Sequence, residues 1–279
     1  MSTKSADLPL TDQVQHRVDD RGIAFITLNR PDVKNAISPD QRDRVIDLLA
    51  EASADLGIRA VVLGHTGDAF CTGADLRASR PPAPRPDDAP KRGVGEVAKM
   101  IQEGAQRLVA AVLDCEKPVI AAVGGTAAGI GSHIALACDL VVATEDSRFI
   151  EVFVRRGLVP DGGGAYLLPR MVGVNRAKEL LFFGDDLSAT DAAELGLVNK
   201  VVAPGELDAA VEAYLDRLAV APTRALALTK RLVNRSLDSD RATAFLEEAV
   251  AQEMNMNTAD ANEGVAAFVE RRDPTYRGW

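Results

Sequence analysis

Two glycine-bearing turns carry the chemistry this sequence can offer: Cys71-Thr72-Gly73-Ala74-Asp75 and Ala128-Gly129-Ile130-Gly131. Each follows an apolar run with strand character, residues 59–65 in the first case and Val119–Val123 in the second. The second turn lies inside the stretch 117–140, where Gly124, Gly125, Gly129 and Gly131 lead into a helix-like apolar segment over 134–137. A strand that delivers a glycine turn to a helix start leaves backbone N–H groups unpaired and aimed at one spot, with the helix dipole behind them. Such donors hold a phosphate or an oxyanion; the same glycines also suit a tight crossover in which backbones merely pack. If the two turns converge, one N–H from each clamps a single carbonyl oxygen as negative charge builds on it. Losing one such donor typically costs on the order of 3 kcal/mol.

Proton transfer beside those donors needs a titratable group. Asp161 stands in Val159-Pro160-Asp161-Gly162-Gly163, either as a base or as a turn aspartate or helix N-cap ahead of the glycine run. His133 falls in the first helical turn after the second glycine turn. There the dipole opposes protonation and favours a neutral imidazole able to accept or donate one proton near pH 7; the alternative is a packed core histidine. Glu151 shares the face of Phe153 if the segment near 149–154 is extended, and otherwise reads as a surface glutamate. Two familiar motifs are missing. The stretch 124–131 lacks the GxGxxG spacing and the acidic residue of a dinucleotide site. Ser132 and His133 are adjacent, so their side chains diverge, and no GxSxG elbow occurs. A nicotinamide enzyme and a serine hydrolase are both excluded.

The 279 residues are enough for a sizeable core, and 47% hydrophobic with 26% charged residues is ordinary for a soluble globular chain. A formal net charge of -9 argues against nucleic acid and against an anionic membrane surface as partners, while leaving room for a small anionic ligand on a local basic patch. Cys71, Cys115 and Cys138 are widely spaced and fit neither a disulfide nor a metal pattern, which suits a reducing cytoplasm. With three histidines and no HExxH or CxxC, no metal site is expected. The N-terminal residues lack the apolar core of a signal peptide, and the apolar region from Pro118 onward is broken by glycines, Ser132 and His133, so no membrane span is expected.

The elements that must position these groups follow from the pattern. Val14–Val18 and Ile23–Leu28 read as strands around the turn Asp19-Asp20-Arg21-Gly22. Ser38 with Gln41 forms a capping-box signature for a helix through about Ser53. The stretch 78–96 holds five prolines among mixed charges, a density no helix or strand tolerates, and reads as a mobile surface loop beside the site. A helical pattern returns over 97–112, and a strand over 140–143 follows the central stretch. From 175 onward the chain turns helical: 175–183, 190–195, 204–218, Thr223–Ser236, 240–255 and 260–271 all read as amphipathic helices. Alternating strands and helices followed by a helical tail mean an α/β core with a helical module.

Several motifs, in order along nearly the whole chain, resemble the enoyl-CoA hydratase/isomerase (crotonase) superfamily. They are Ile26-Thr27-Leu28-Asn29-Arg30-Pro31 with Asn35-Ala36, Ala69-Phe70-Cys71-Thr72-Gly73-Ala74-Asp75-Leu76, and Lys117-Pro118-Val119-Ile120-Ala121-Ala122-Val123 with Ala137-Cys138-Asp139. Gly162-Gly163-Gly164, Leu168-Pro169-Arg170, Ala192-Ala193-Glu194-Leu195-Gly196-Leu197-Val198 and the run from Glu263 to Arg272 continue the match. The resemblance implies a spiral core of repeated ββα units over 1–200 and a helical oligomerisation module over 201–279, building a homotrimer or a dimer of trimers. It implies an acyl-CoA thioester as substrate, with coenzyme A arriving as part of it and no separate cofactor.

By the same resemblance the oxyanion donors are the N–H groups of Ala74 and Ile130; the isoleucine, where relatives usually carry glycine, must point its side chain away from the acyl group. Coenzyme A contacts fall on Lys34, Ala36, Asp75 and Leu76, with Phe268 and Arg271 lent by a neighbouring subunit. Family hydratases use two glutamates, whose positions here are His133 and Phe153. The expected chemistry is therefore enolate formation with Asp161 moving a proton between carbons and His133 assisting, that is, double-bond isomerisation. Hydration by a His133/Asp161 pair is the alternative within the enzyme class, and a catalytically silent acyl-CoA binder is the alternative outside it.

Overall fold

The computed structural model describes residue 5 and residues 8–78, 84–90 and 93–279. A short helix α1 (Leu10–Gln13) leads into β1 (Val14–Val18), which pairs antiparallel with β2 (Ile23–Leu28) as the Asp19–Gly22 turn predicts. Helix α2 (Pro39–Ala54) starts on the anticipated capping box, with Ser38 and Gln41 bonding each other's backbone N–H. β3 (Ala60–His65), β4 (Val119–Val123), β6 (Leu140–Thr144) and β9 (Lys200–Val202) extend β2 in parallel, in the order β1-β2-β3-β4-β6-β9.

β3 and β4 are buried on both faces, which is why they read as unbroken apolar runs. Their alternate residues serve two layers. Val61, Leu63, Val119 and Ala121 face the larger core beneath α2, α4 (Arg107–Asp114) and α5 (Ile130–Ala137). Ala60, Val62, Ile120 and Ala122 face Ala210, Val211 and Leu215 of α8 (Leu207–Ala219).

A second sheet decides where the two glycine turns lie. β5 (Thr126–Ala128), β7 (Arg148–Ile150) and β8 (Asp186–Ser188) form it; β5 also bridges to Cys71, and Gly125 just before it bridges to Ala69. Three-residue strands leave almost no periodic signal, and β5, β8 and β9 are elements the sequence pattern does not announce. The extended piece anticipated near 149–154 ends at Ile150; the chain then turns, with a 3-10 helix over Val154–Arg156. The helical pattern of 97–112 is α3 (Glu96–Ile101) running through a π-helical turn, Gln102–Gln106, into α4. Of the loop 78–96, residues 84–90 form turns with no helix or strand, while 79–83 and 91–92 lie outside the described residues.

Beyond the core come α6 (Gly164–Phe183), bent at Gly173, then α7 (Ala189–Glu194), α8, α9 (Thr223–Ser236), α10 (Arg241–Met256) and α11 (Ala259–Glu270). Lys230 anchors α9: its ammonium donates to the carbonyls of Val112 and Lys117 and to the Asp139 carboxylate at 2.8 Å. The end of the chain is pinned as well, with the Arg277 and Gly278 amides donating to the buried carboxylate of Asp260. Among the described residues no helix is long and apolar enough to cross a membrane.

Candidate active site

The two glycine turns meet. Cys71 donates its N–H to Thr126 and accepts one from Ala128, so the first turn is laced to β5 immediately before the second turn begins. Gly131 is where the backbones touch: a methyl group there would lie 2.1 Å from the Cys71 carbonyl oxygen. Gly129, at φ 54° and ψ −123°, adopts a conformation closed to residues with a side chain and re-aims the chain into α5.

Both donors that the sequence points to are free. Ile37 donates to Gly73 and accepts from Asp75, which straddles Ala74 and leaves its N–H outside the bridge. Ile130 is the first residue of α5, so its N–H has no partner within the helix. Among the described residues neither amide donates to a protein acceptor. The Ile130 side chain packs under Gly162, where an added methyl would meet its Cδ1 at 2.3 Å.

Ala74 and Ile130 line a cleft of about 370 Å³. Its walls are largely apolar, with Met100, Ile101, Ala105 and Leu108 from the π-interrupted helix on one side and Val152, Phe153 and Leu158 on the other. Asp161 lines the same cleft, half-buried. Burial pushes its carboxyl above the usual carboxylate range. It makes no capping bond to α6, whose N-cap is Gly163, so the alternative of an N-cap role falls away.

Asp75, a cleft residue by its backbone, has its carboxylate committed elsewhere. It is buried against the Arg30 guanidinium at 3.1 Å. Although burial opposes its charge, hydrogen bonds from the Arg77 amide and from Arg30 hold it below its ordinary value. Cys71 is no nucleophile, since burial pushes its thiol up to about 11.

The other predicted residues separate. Ala36 lies close to the first turn, its carbonyl bound by Arg30, and the Lys34 carbonyl accepts from the Thr72 amide and hydroxyl. The Lys34 side chain and Leu76 are exposed. Phe268 and Arg271 are also exposed, at the far end of α11, and neither lines this chain's cleft. His133 is fully buried and does not line the cleft; Phe153 stacks on its ring with centroids 5.3 Å apart.

Glu151 corrects the sequence reading outright. It is buried rather than on the surface, because the chain turns after Ile150 and carries the carboxylate inward. There it lies 2.8 Å from His133 Nε2 and accepts from the Ser132 hydroxyl. A lone glutamate between Ile150 and Val152, in an otherwise apolar run, was the only signal available.

A sequence model of the enoyl-CoA hydratase/isomerase family matches residues 19–278. The chain belongs to the enoyl-CoA hydratase/isomerase (crotonase) family. A 1,2-epoxyphenylacetyl-CoA isomerase of Escherichia coli is 34% identical over 93% of this chain and 96% of its own. A short-chain-enoyl-CoA hydratase of Clostridium acetobutylicum is 32% identical over 90% of this chain and 92% of its own. The crystal structure of an enoyl-CoA hydratase of Mycobacterium smegmatis superposes with a TM-score of 0.84 at 35% identity, covering 95% of this chain and 98% of that one. The crotonase-family fold accounts for the observed α/β core with its helical C-terminal region.

Proposed function

We propose that the cleft binds an enoyl-CoA thioester and shifts its double bond through an enolate, with Ala74 and Ile130 holding the thioester oxygen and Asp161 moving the proton. One observation carries this reading. Asp161 is the carboxylate that faces the cleft uncommitted, beside two unpaired amides, while Asp75 is tied to Arg30 and His133 is enclosed behind Phe153.

The carbon alpha to a thioester is acidic only if the developing oxyanion is met by donors already in place. Preorganised amides meet that need without reorganisation, and one base then suffices to take the alpha proton and return it at the gamma carbon. The elevated Asp161 carboxyl suits a base acting on a weak carbon acid. Apolar walls from α3, α4 and Phe153 fit an acyl chain, and Lys34, Ala36, Asp75 and Leu76 flank the donor turn where the coenzyme A portion would run.

Phe268 and Arg271, exposed and away from this chain's cleft, would meet such a ligand in a neighbouring copy of the chain. The exposed Phe245, Leu246 and Val250 of α10 and Val265 and Val269 of α11 give that copy an apolar face to cover, consistent with a homotrimer or dimer of trimers.

Hydration is the second reading, favoured by the hydratases among the relatives. It would need His133 to handle a proton from behind Phe153. Incubation with a 3-enoyl-CoA and, separately, a 2-enoyl-CoA in deuterated water separates the two by mass. Conversion of 3-enoyl- to 2-enoyl-CoA without added water supports the one-base isomerase, with deuterium gained wherever the Asp161 proton exchanges before its return; gain of a whole water overturns it in favour of hydration. Acyl-CoA binding with no water gained and no conversion of 3-enoyl- to 2-enoyl-CoA, read from the absorbance of the conjugated thioester, overturns both in favour of a silent binder.

A further inference from the structure

Behind the cleft wall lies a polar cluster that the proposed reaction does not yet use. Glu151, Ser132 and His133 are all buried, and the imidazole has no exposed surface. Glu151 accepts from Ser132 through one oxygen and meets His133 Nε2 through the other. An ionised carboxylate only accepts, so it selects the tautomer with the proton on Nε2. Nδ1 is then a bare lone pair, and it has no partner although it is buried. A buried acceptor left unpaired is costly, and proteins seldom leave one without a reason.

The surroundings of Nδ1 give that reason. A methyl group on Gly162 would lie 2.9 Å from Nδ1, and one on Gly164 would lie 2.2 Å from Nε2. The loop that carries Asp161 is therefore wrapped against the imidazole with glycine at the contact points. Asp161 is the residue before Gly162, so the backbone that meets Nδ1 also carries the cleft carboxylate.

Resting on the enolate reading above, we infer that Glu151 is a positioning residue. It holds the His133 lone pair toward Asp161 so that Asp161, once protonated, donates a hydrogen bond to Nδ1. In the resting state Asp161 is a carboxylate and Nδ1 stays unpaired. When Asp161 takes the alpha proton, the C–H electron pair moves to the thioester oxygen and Asp161 becomes a neutral acid. Its new O–H then finds the waiting acceptor. An interaction present only after proton abstraction lowers that step selectively. Return of the proton to the gamma carbon restores the carboxylate and frees Nδ1, so no proton or electron is left over.

Replacing Glu151 by Gln reverses the polarity of the device. A glutamine can accept from Ser132 and donate to Nε2, which drives the imidazole proton to Nδ1. Asp161 would then face a donor, which favours its charged form. The other charged side chains lining the cleft, Arg42 from α2, Asp75 from the first turn and Arg156 from the 3-10 helix, are the same in both proteins.

Nitrogen-15 spectra of the three histidines report the tautomer, and carbon-13 spectra report the protonation of Asp161; neither requires turnover. The expected results are a neutral Nε2–H tautomer for His133 in the wild type and Nδ1–H in Glu151→Gln. At a given acid pH, the protonated fraction of Asp161 should fall by up to about tenfold in the variant, the equivalent of one hydrogen bond exchanged. An unchanged tautomer together with an unchanged Asp161 titration overturns the inference, even if isomerisation is confirmed.

If Glu151→Gln does not fold, the wild type still tests the idea. The His133 Nδ1 resonance should move as Asp161 titrates, and this movement should vanish in Asp161→Asn. An Nδ1 resonance indifferent to Asp161 refutes the coupling. If the wild type neither isomerises nor exchanges deuterium while these couplings appear, the isomerase reading fails and the positioning role stands.

Discussion

Adding one methyl group at Gly131 tests the convergence of the two turns directly. The new carbon would lie 2.1 Å from the Cys71 carbonyl oxygen and 2.8 Å from its carbon and Cβ. Ordinary contact begins near 3.4 Å, so the turns must separate by more than about 1 Å. Cys71 is laced to β5 by two backbone bonds, so the strain passes to the loop that carries Ala74. Overpacking of this kind costs about 1–3 kcal/mol of stability. Displacing a donor by about 1 Å costs about 100-fold in rate, and losing it altogether costs up to about 1,000-fold. Gly131→Ala should therefore remain folded, bind acyl-CoA within a few-fold of wild type, and lose 100- to 1,000-fold in kcat. Gly205→Ala, where nothing lies within 4 Å of the added carbon, is the control and should leave both quantities unchanged. Turnover by coupled spectrophotometry, affinity by calorimetry and stability by urea unfolding make the comparison. Wild-type kcat in Gly131→Ala would refute the clamp, because a gap that tolerates the methyl group does not position two amides on one oxygen.

Asp161→Asn should lower isomerisation by at least about 100-fold while sparing acyl-CoA affinity, and the wild-type rate should fall as pH drops through the elevated Asp161 value. Because folding raises that value, the protonated form is favoured in the folded state and its stabilisation is lost as pH rises; thermal unfolding at neutral pH should show the variant at least as stable as wild type. Arg30→Met leaves the buried Asp75 carboxylate without its guanidinium and should cost about 3–5 kcal/mol in urea unfolding. The stability that pair adds is present above the ordinary carboxylate range and lost as pH falls through the depressed Asp75 value, so the variant's unfolding should show a weaker acid dependence, the Arg77 bonds remaining. Lys230→Met strands Asp139 and two carbonyls at the docking point of α9, and limited proteolysis should then cut the C-terminal helices well before the sheet.

Much of this was legible in the chain. The strands at Val14–Val18 and Ile23–Leu28, the Ser38/Gln41 cap and the helix at Thr223–Ser236 depend on side-chain period and turn chemistry, which are local. The pairing of the glycine turns was legible as a possibility, because strand-glycine-helix leaves free amides wherever it occurs. The three-residue strands were not, since a period cannot be read from one and a half repeats. Nor was the first half of α6, where Pro169 and Gly173 interrupt the pattern that the helix nevertheless follows across its bend.

The family and the α/β core with its helical tail were readable from the chain alone, and the resemblance singled out Ala74, Ile130 and Asp161 as expectations. Tertiary structure decided which titratable groups meet the cleft and which meet each other. Glu151 and His133 lie 18 residues apart on different elements, and only the turn after β7 brings the carboxylate to the imidazole. Asp75, expected beside the coenzyme A portion, has its carboxylate held by Arg30, 45 residues away. Charge, proton position and access to substrate depend on burial and on distant neighbours, and these are properties of the packed chain rather than of any stretch of it.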